Sequence, residues 1–427
     1  MKECLFISHP QPRDTGDYLH RTLWPAQALG QHLNTIVVQT SHPEALKMAL
    51  ESTLLVINMI ADEIMLEVVR WRNAHGLVTV YEISDDFESF PIYLPNHGFY
   101  SSPQIQALIR QLASEASAVQ FSSPALLEKY GALNRRSTCF LNQCQEIPPL
   151  ADVDGQRRPV VIGWAGSGGH QTEVRLLIEW LKQWQSHARQ EEIAFAVMAN
   201  PEISALFTDA QLNPRLTPTG TMQDYFHFIS GLDIGLAMIG EDDFSLGRSD
   251  GKFLEYASHG VVAVCSDRGS YKHTIVDGVT GFLFQTREQF WESLDRALQP
   301  DLRLRVRRQA HDYILNQRTH EADAVNRLEF YRQLGSELSA PQQSAQAGFV
   351  EAVHPQELHL YAAMAAHATG DLRGALTKYH AVLENTPNFY LPWLRLSELL
   401  AQLGAPDDSQ MCTRTAETLL QQTFRLE

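Results

Sequence analysis

Short, unbroken apolar runs recur along this chain with amphipathic stretches between them. That alternation restricts the fold more than any other feature. Cys4-Leu5-Phe6-Ile7, Thr35-Ile36-Val37-Val38, Leu54-Leu55-Val56-Ile57 and Val78-Thr79-Val80-Tyr81 come first, followed by Ala118–Phe121 and Thr138–Leu141. A strand apolar on both faces belongs in a parallel sheet covered by helices on each side. Segments of helical spacing lie between most of these runs. One spans Tyr18 to Leu29, after a polar loop with Pro10, Pro12 and Gly16. Past a turn-rich stretch from Ile147 to Pro159 the pattern restarts with Val160–Trp164, Ile193–Met198, Asp233–Ala237, Val261–Cys265 and Gly281–Phe284. The expected fold class is therefore α/β, with two Rossmann-like doubly wound domains facing a cleft, over residues 1–150 and 151–338. Long helices from Arg287 to about Leu338 are expected to close the second.

A linker rich in Ser, Gln and Ala covers 339–348, and residues 349–427 read as all-helical. Gly370-Asp371-Leu372 and Gly404-Ala405-Pro406 stand 34 positions apart, which is the tetratricopeptide period. Ala375, Tyr379, Pro387, Trp393 and Leu396 agree with it. The segment resembles about two such repeats, with a plain helical hairpin as the alternative. Fewer than three repeats are seldom stable alone, so the pair is expected to dock on the rest of the chain or on a partner protein.

The chain has 427 residues, 44% of them hydrophobic and 20% charged, enough apolar material for several cores. A formal net charge of −16 argues against nucleic-acid binding, which needs a basic face to displace counterions from phosphates. The run Arg303, Arg305, Arg307, Arg308 reads as a solvated helix face. Five scattered cysteines show no Cys-x-x-Cys pair and no zinc spacing. A reduced, cytoplasmic setting is expected, with peripheral membrane contact as the alternative. No apolar run is long enough to cross a membrane, and the N-terminus does not read as a signal peptide.

Three segments carry chemistry. In Gly163-Trp164-Ala165-Gly166-Ser167-Gly168-Gly169-His170 a strand runs into a Gly-rich turn before a helix. Such a turn brings backbone N–H groups and a helix dipole to a phosphate, or else is simply a tight strand-to-helix turn. In Gly247 to Val264 a polar loop enters a helix carrying Lys252 and Glu255, then a strand. A lysine there suits a diphosphate and a carboxylate one turn on suits ribose hydroxyls; an intrahelical ion pair is the plainer reading. At the end of the run Tyr81-Glu82-Ile83-Ser84-Asp85-Asp86-Phe87, paired carboxylates stand where α/β proteins bind ligands. Asp85 or Asp86 would orient a hydroxyl or act as a base, or else cap the next helix. The loop from Ser8 to Arg21 should face the same cleft through Asp14, Thr15, Gly16 and Arg21. His97 and His170 are further polar candidates, though a lone histidine is more often structural.

Arg248-Ser249-Asp250-Gly251-Lys252-Phe253-Leu254-Glu255-Tyr256 resembles the donor site of family 4 retaining glycosyltransferases, in the branch reading Lys-Ser-x-x-Lys-x-x-Glu-Tyr. Ser266–Tyr271, Asp277–Leu283 and the glycine turn with His170 resemble that family too, so the likeness covers roughly Val160 to Tyr331. It implies the GT-B architecture and sugar transfer, with retention, from a nucleoside diphosphate donor to a protein or glycan acceptor. It implies no metal and no cofactor besides that donor. Gly166, Ser167 and Gly168 would lie against the phosphates, with His170, Ser249 and Tyr256 beside the donor. Arg248 and Lys252 would neutralise the diphosphate and Glu255 would bind the ribose. Many members carry a second glutamate eight positions before the first, and here that position is Gly247. Contacts to the sugar would then come from Asp242, Asp243 or a backbone amide. The rival reading is a catalytically silent scaffold of the same fold, its repeats binding a partner protein.

Overall fold

The computed structural model describes residues 4–151, 159–166, 168–185, 193–335 and 347–425. The apolar runs of the first half form β1 (Cys4–Ser8), β2 (Thr35–Gln39), β3 (Leu54–Asn58), β4 (Val78–Ile83), β5 (Ala118–Phe121) and β6 (Ser137–Cys139). Those of the second half form β7 (Val160–Ala165), β8 (Ile193–Ala199), β10 (Ile234–Ala237), β11 (Val262–Ser266) and β12 (Phe282–Phe284), with β9 (Arg215–Pro218) between β8 and β10 in the chain. A last strand, β13 (Phe349–Glu351), follows much later. Two sheets result: one of seven strands, ordered β13-β2-β1-β3-β4-β5-β6, and one of six, ordered β12-β11-β10-β7-β8-β9. All the strand pairs are parallel. Strands buried on both faces need helices on both, and each sheet indeed has two apolar clusters, one per face.

Two strands carry no sequence signal. β9 is an edge strand, Arg-Leu-Thr-Pro, and mostly exposed. β13 is only three residues long. It leaves the second half of the chain to pair with β2 of the first sheet. The closing helices also divide. Arg287–Leu298 and Pro300–Gln317 pack on the second sheet through Phe290, Leu294 and Val306. His320–Leu334, expected with them, lies on the first sheet through Ala324, Leu328 and Tyr331.

The basic run is a solvated face only in part: Arg305 and Arg308 are exposed, while Arg303 and Arg307 turn inward. Arg303 is buried and donates to the carbonyls of Ala297 and Leu298 (3.2 and 2.9 Å), capping the C-terminus of the preceding helix. Arg307 donates to the carbonyls of Gly260 and Ala151 (2.8 and 3.1 Å).

The C-terminal segment has four helices, Gln356–Ala368, Leu372–Asn385, Tyr390–Gln402 and Pro406–Phe424. The first and third start 34 positions apart, as do the second and fourth. The turns between the paired helices contain Gly370 and Gly404, both left-handed at φ +82° and +75°, where a side chain would be strained. The segment docks on the first domain. Arg13 of the β1 loop pairs with Glu351 and with Glu357 (2.8 Å to the latter), and Trp71 Nε1 donates to the Phe424 carbonyl at 3.1 Å.

Candidate active site

The C-terminal ends of the two sheets enclose a cavity of ≈320 Å³. In each sheet it lies at the point where strand order reverses, between β1 and β3 in the first and between β7 and β10 in the second. There the loops diverge and leave a crevice for a ligand. Gly16 and Asp17 follow β1, Ser84 and Asp85 follow β4, His170 follows β7 and Ile239 follows β10; all line the cavity.

The second domain supplies the cationic wall. Helix Gly251–Ser258 presents Lys252, which donates to the carbonyl of Ala165 and lies 5.3 Å over the Trp164 ring. Burial pushes its ammonium down to about 8, with Arg248 adding to the shift and Glu255 opposing it. Gly166 has to be glycine here: an added Cβ would meet the Trp164 ring at 2.8 Å and Lys252 Nζ at 3.1 Å. Arg248 is fixed on three sides, by the Gly169 carbonyl (3.1 Å), His170 Nδ1 (2.8 Å) and the Phe244 ring (5.0 Å). Burial and the neighbouring Lys252 and Arg248 hold the His170 imidazole well below its usual value. The guanidinium can only donate, so the neutral ring accepts from it. Glu255 accepts from the Tyr225 hydroxyl at 2.6 Å, while its other oxygen lies 3.7 Å from His20 Nε2.

The first domain supplies the opposing wall. Asp85 is half-buried and lines the cavity, and its carboxyl is pushed up to about 6. Burial is the main cause and Asp17 adds to it, while Arg248 opposes. His20 and Arg21 come from a π-helical turn, Tyr18–Leu23, ahead of the α-helix Trp24–Leu29. Such turns re-aim side chains and are frequent at functional sites. Arg21 pairs with buried Glu82 and donates to the Phe140 carbonyl and Asn142 Oδ1, both at 2.9 Å. Its Nη2 is buried without a hydrogen-bond partner, a donor that suits an anionic ligand. Asn142 reaches the second domain by donating to Ser249 Oγ at 3.0 Å.

The cavity thus brings together Gly16, Arg21, Asp85, His170, Arg248, Ser249, Lys252 and Glu255 of the residues expected from sequence. Others lie elsewhere. Asp86 is buried, accepts from the Tyr130 hydroxyl and pairs with Lys129 at 2.7 Å; Lys129 also holds Asp243 at 3.1 Å. It ties the two domains together rather than facing a ligand. Tyr256 is core: its ring lies on Gly235 and its hydroxyl donates to the Leu236 carbonyl at 3.2 Å. Gly168 opens a short 3-10 turn ending at His170, and Ser167 lies outside the described residues. Asp242 caps its own helix through Ser245 N at 2.9 Å. His97 lies against the Phe90 carbonyl at 2.7 Å, away from the cavity.

Gly247 is pressed against the first domain. Its carbonyl accepts from Ser123 Oγ at 2.7 Å, and an added Cβ would stand 3.2 Å from Leu126 and 3.5 Å from Asp86. A longer side chain would have to part the two domains, and glycine lets them meet. Asp17, His20, Ser122, Asn142 and Tyr271 also line the cavity without having been expected there. Asp17, His20 and Asn142 are polar residues in polar or mixed contexts, with no motif to mark them. Among the described residues, no cluster of three or more His, Cys, Asp or Glu side chains is arranged to hold a metal ion. No helix among them is long and apolar enough to cross a membrane.

No protein-family model and no curated protein matches the chain by sequence. Solved structures do match by shape. The chain is similar to HepE from Anabaena, crystallised with UDP, at TM-score 0.59 and 14% identity over 78% of this chain and 100% of that one. It is also similar to sucrose-phosphate synthase from Thermosynechococcus elongatus, at TM-score 0.55 and 13% identity over 79% and 100%. TarM follows at TM-score 0.51 and 12% identity over 67% of this chain; the chain spans 57% of TarM's length. At such identities the likeness is one of fold. The chain has the GT-B-like glycosyltransferase fold, with a C-terminal segment of several helices.

Proposed function

We propose that this chain moves a sugar from a nucleoside diphosphate donor to a protein or glycan acceptor, with retention at the anomeric carbon and without a metal ion. One observation carries the reading. Arg248 and Lys252, held on the second sheet, face Asp85 on the first across a cavity at both reversal points. In sugar transfer the bond from the anomeric carbon to the diphosphate breaks and a bond to the acceptor hydroxyl forms. Charge develops on the leaving diphosphate, so fixed cations are where stabilisation is largest. Arg248 and Lys252 serve there, Glu255 holds the ribose, and Asp85 takes the acceptor's hydroxyl proton. HepE, similar in fold, has been crystallised with UDP-glucose, which supports a nucleotide-sugar donor. The free thiols of Cys139, Cys144, Cys265 and Cys412 suit a reducing, cytoplasmic setting.

The test is nucleotide release from a panel of UDP-, GDP-, ADP- and dTDP-sugars, followed against pH. One donor class should turn over, and its kcat/KM should be bell-shaped. Asp85 accepts a proton only when ionised, so the acid limb rises through about pH 6. Lys252 neutralises phosphate only when charged, so the basic limb falls through about pH 8. A rate still climbing at pH 9 would remove Lys252 from its role. No release, with no nucleotide binding by calorimetry, would leave the silent scaffold.

A further inference from the structure

A second cavity, of ≈520 Å³, lies where the helical segment meets the first domain. One side is the first domain's loops after β1 and β3, with His9, Met59 and Ile60. The other is made by helices Gln356–Ala368 and Tyr390–Gln402, through Tyr361, Met364, Leu394 and Arg395. Tyr361 and Arg395 hold equivalent places, one 34-residue period apart. Both hairpins therefore turn the same face of their leading helices into this cavity, as stacked helical repeats do on their concave side.

Three features describe what would fit. Apolar side chains make the larger share of the walls, beside Gln11, Asp62, Asn96 and Arg395, and two rings stay open to solvent, Phe99 at 47% and Tyr361 at 42%. Exposed apolar groups gathered in one concavity mark an interaction site. Arg395 bonds Glu398 through Nη1 at 3.0 Å, yet its Nε is buried and has no partner. The rest of the guanidinium lines the cavity and can donate to a ligand's carbonyl. The cavity also abuts the catalytic one. Thr15 lines this cavity and Gly16 and Asp17 line the other, while Ser84 Oγ of the catalytic cavity touches Met59 Sδ at 3.5 Å.

We propose that this second cavity binds a polypeptide segment, which carries the hydroxyl that receives the sugar. Its apolar side chains enter between Tyr361 and Met364 on one helix and Leu394 on the other, and a backbone carbonyl accepts from Arg395. An acyl chain offers Arg395 and Asn96 no acceptor; a peptide supplies apolar side chains for Tyr361, Met364 and Leu394 and carbonyls for those two donors. The cavity's position beside Asp85 then makes the helical segment part of the acceptor site. Only the word acceptor rests on the transfer reading above; the peptide site itself does not.

The test uses the full chain and a phage library displaying random 12-residue peptides. Wild type should enrich peptides with aromatic or aliphatic residues. Synthetic copies should lose about tenfold or more in affinity for the Tyr361→Ala/Met364→Ala variant, the usual effect of removing central apolar anchors. Nucleotide affinity of that variant should stay within about twofold, which also shows that it folds. An enriched peptide that binds both proteins equally overturns the proposal, as does a library that yields none. Wild type that fails to bind any nucleotide overturns the transfer reading instead, while the peptide result stands or falls separately.

Discussion

Replacing Arg248 by alanine should lower kcat/KM for nucleotide release about 10²- to 10³-fold, a loss of roughly 3–4 kcal/mol in stabilising the leaving group. The guanidinium is held by Gly169, His170 and Phe244 before any ligand arrives, so no reorganisation is needed as charge develops. Arg248→Lys should recover only part of the rate. A lysine keeps the charge but loses the planar fork that contacts two oxygens together. None of the three neighbours is a charged partner left behind, so the melting temperature should move little. A variant with wild-type kcat/KM would end the assignment of this cavity to the donor. A variant that lost activity and stability together would show a structural role instead.

Replacing Arg318 by alanine should be the most destabilising single change near the site, by about 3–5 kcal/mol. Arg318 and Asp250 are 4% and 0% exposed at their side chains and pair through two bonds, at 2.7 and 3.0 Å. Arg318 also donates to the Asn142 carbonyl at 2.7 Å, and Asp250 accepts from Thr274 at 2.8 Å. Asp250 directly precedes the helix that carries Lys252 and Glu255, so this pair anchors the cationic wall. Truncating the arginine leaves a buried carboxylate unpaired, which costs far more than the pair contributes. The double change Arg318→Met/Asp250→Ala should therefore cost less than Arg318→Ala alone, as read from urea midpoints. A single variant within about 1 kcal/mol of wild type would show that water reaches Asp250.

Much of the architecture was legible because burial leaves a local mark. A strand enclosed by helices is apolar at each position, so eleven strands stood out as runs, whereas exposed β9 and the short β13 did not. Lys252, Arg248 and Glu255 were legible through their order around a helix start. Asp85 and Asp86 were not separable. Both lie in the loop after β4, and nothing local says which of two neighbouring loop residues faces the cavity. The single helical pattern from Tyr18 to Leu29 likewise concealed a π-turn, which sets the direction of His20 and Arg21.

By itself, the sequence determined the strand runs, the glycine turn, the lysine-bearing helix and the 34-residue period. Each of these follows from neighbours within a few positions. Only the tertiary structure decided that Asp17, His20 and Asn142 share a cavity with Arg248 and Lys252, that Gly247 is a contact between domains, and that the helical hairpins close a second cavity on the first domain. Periodicity records whether a residue is buried. It does not record which distant residue lies against it, because that depends on how complete elements pack.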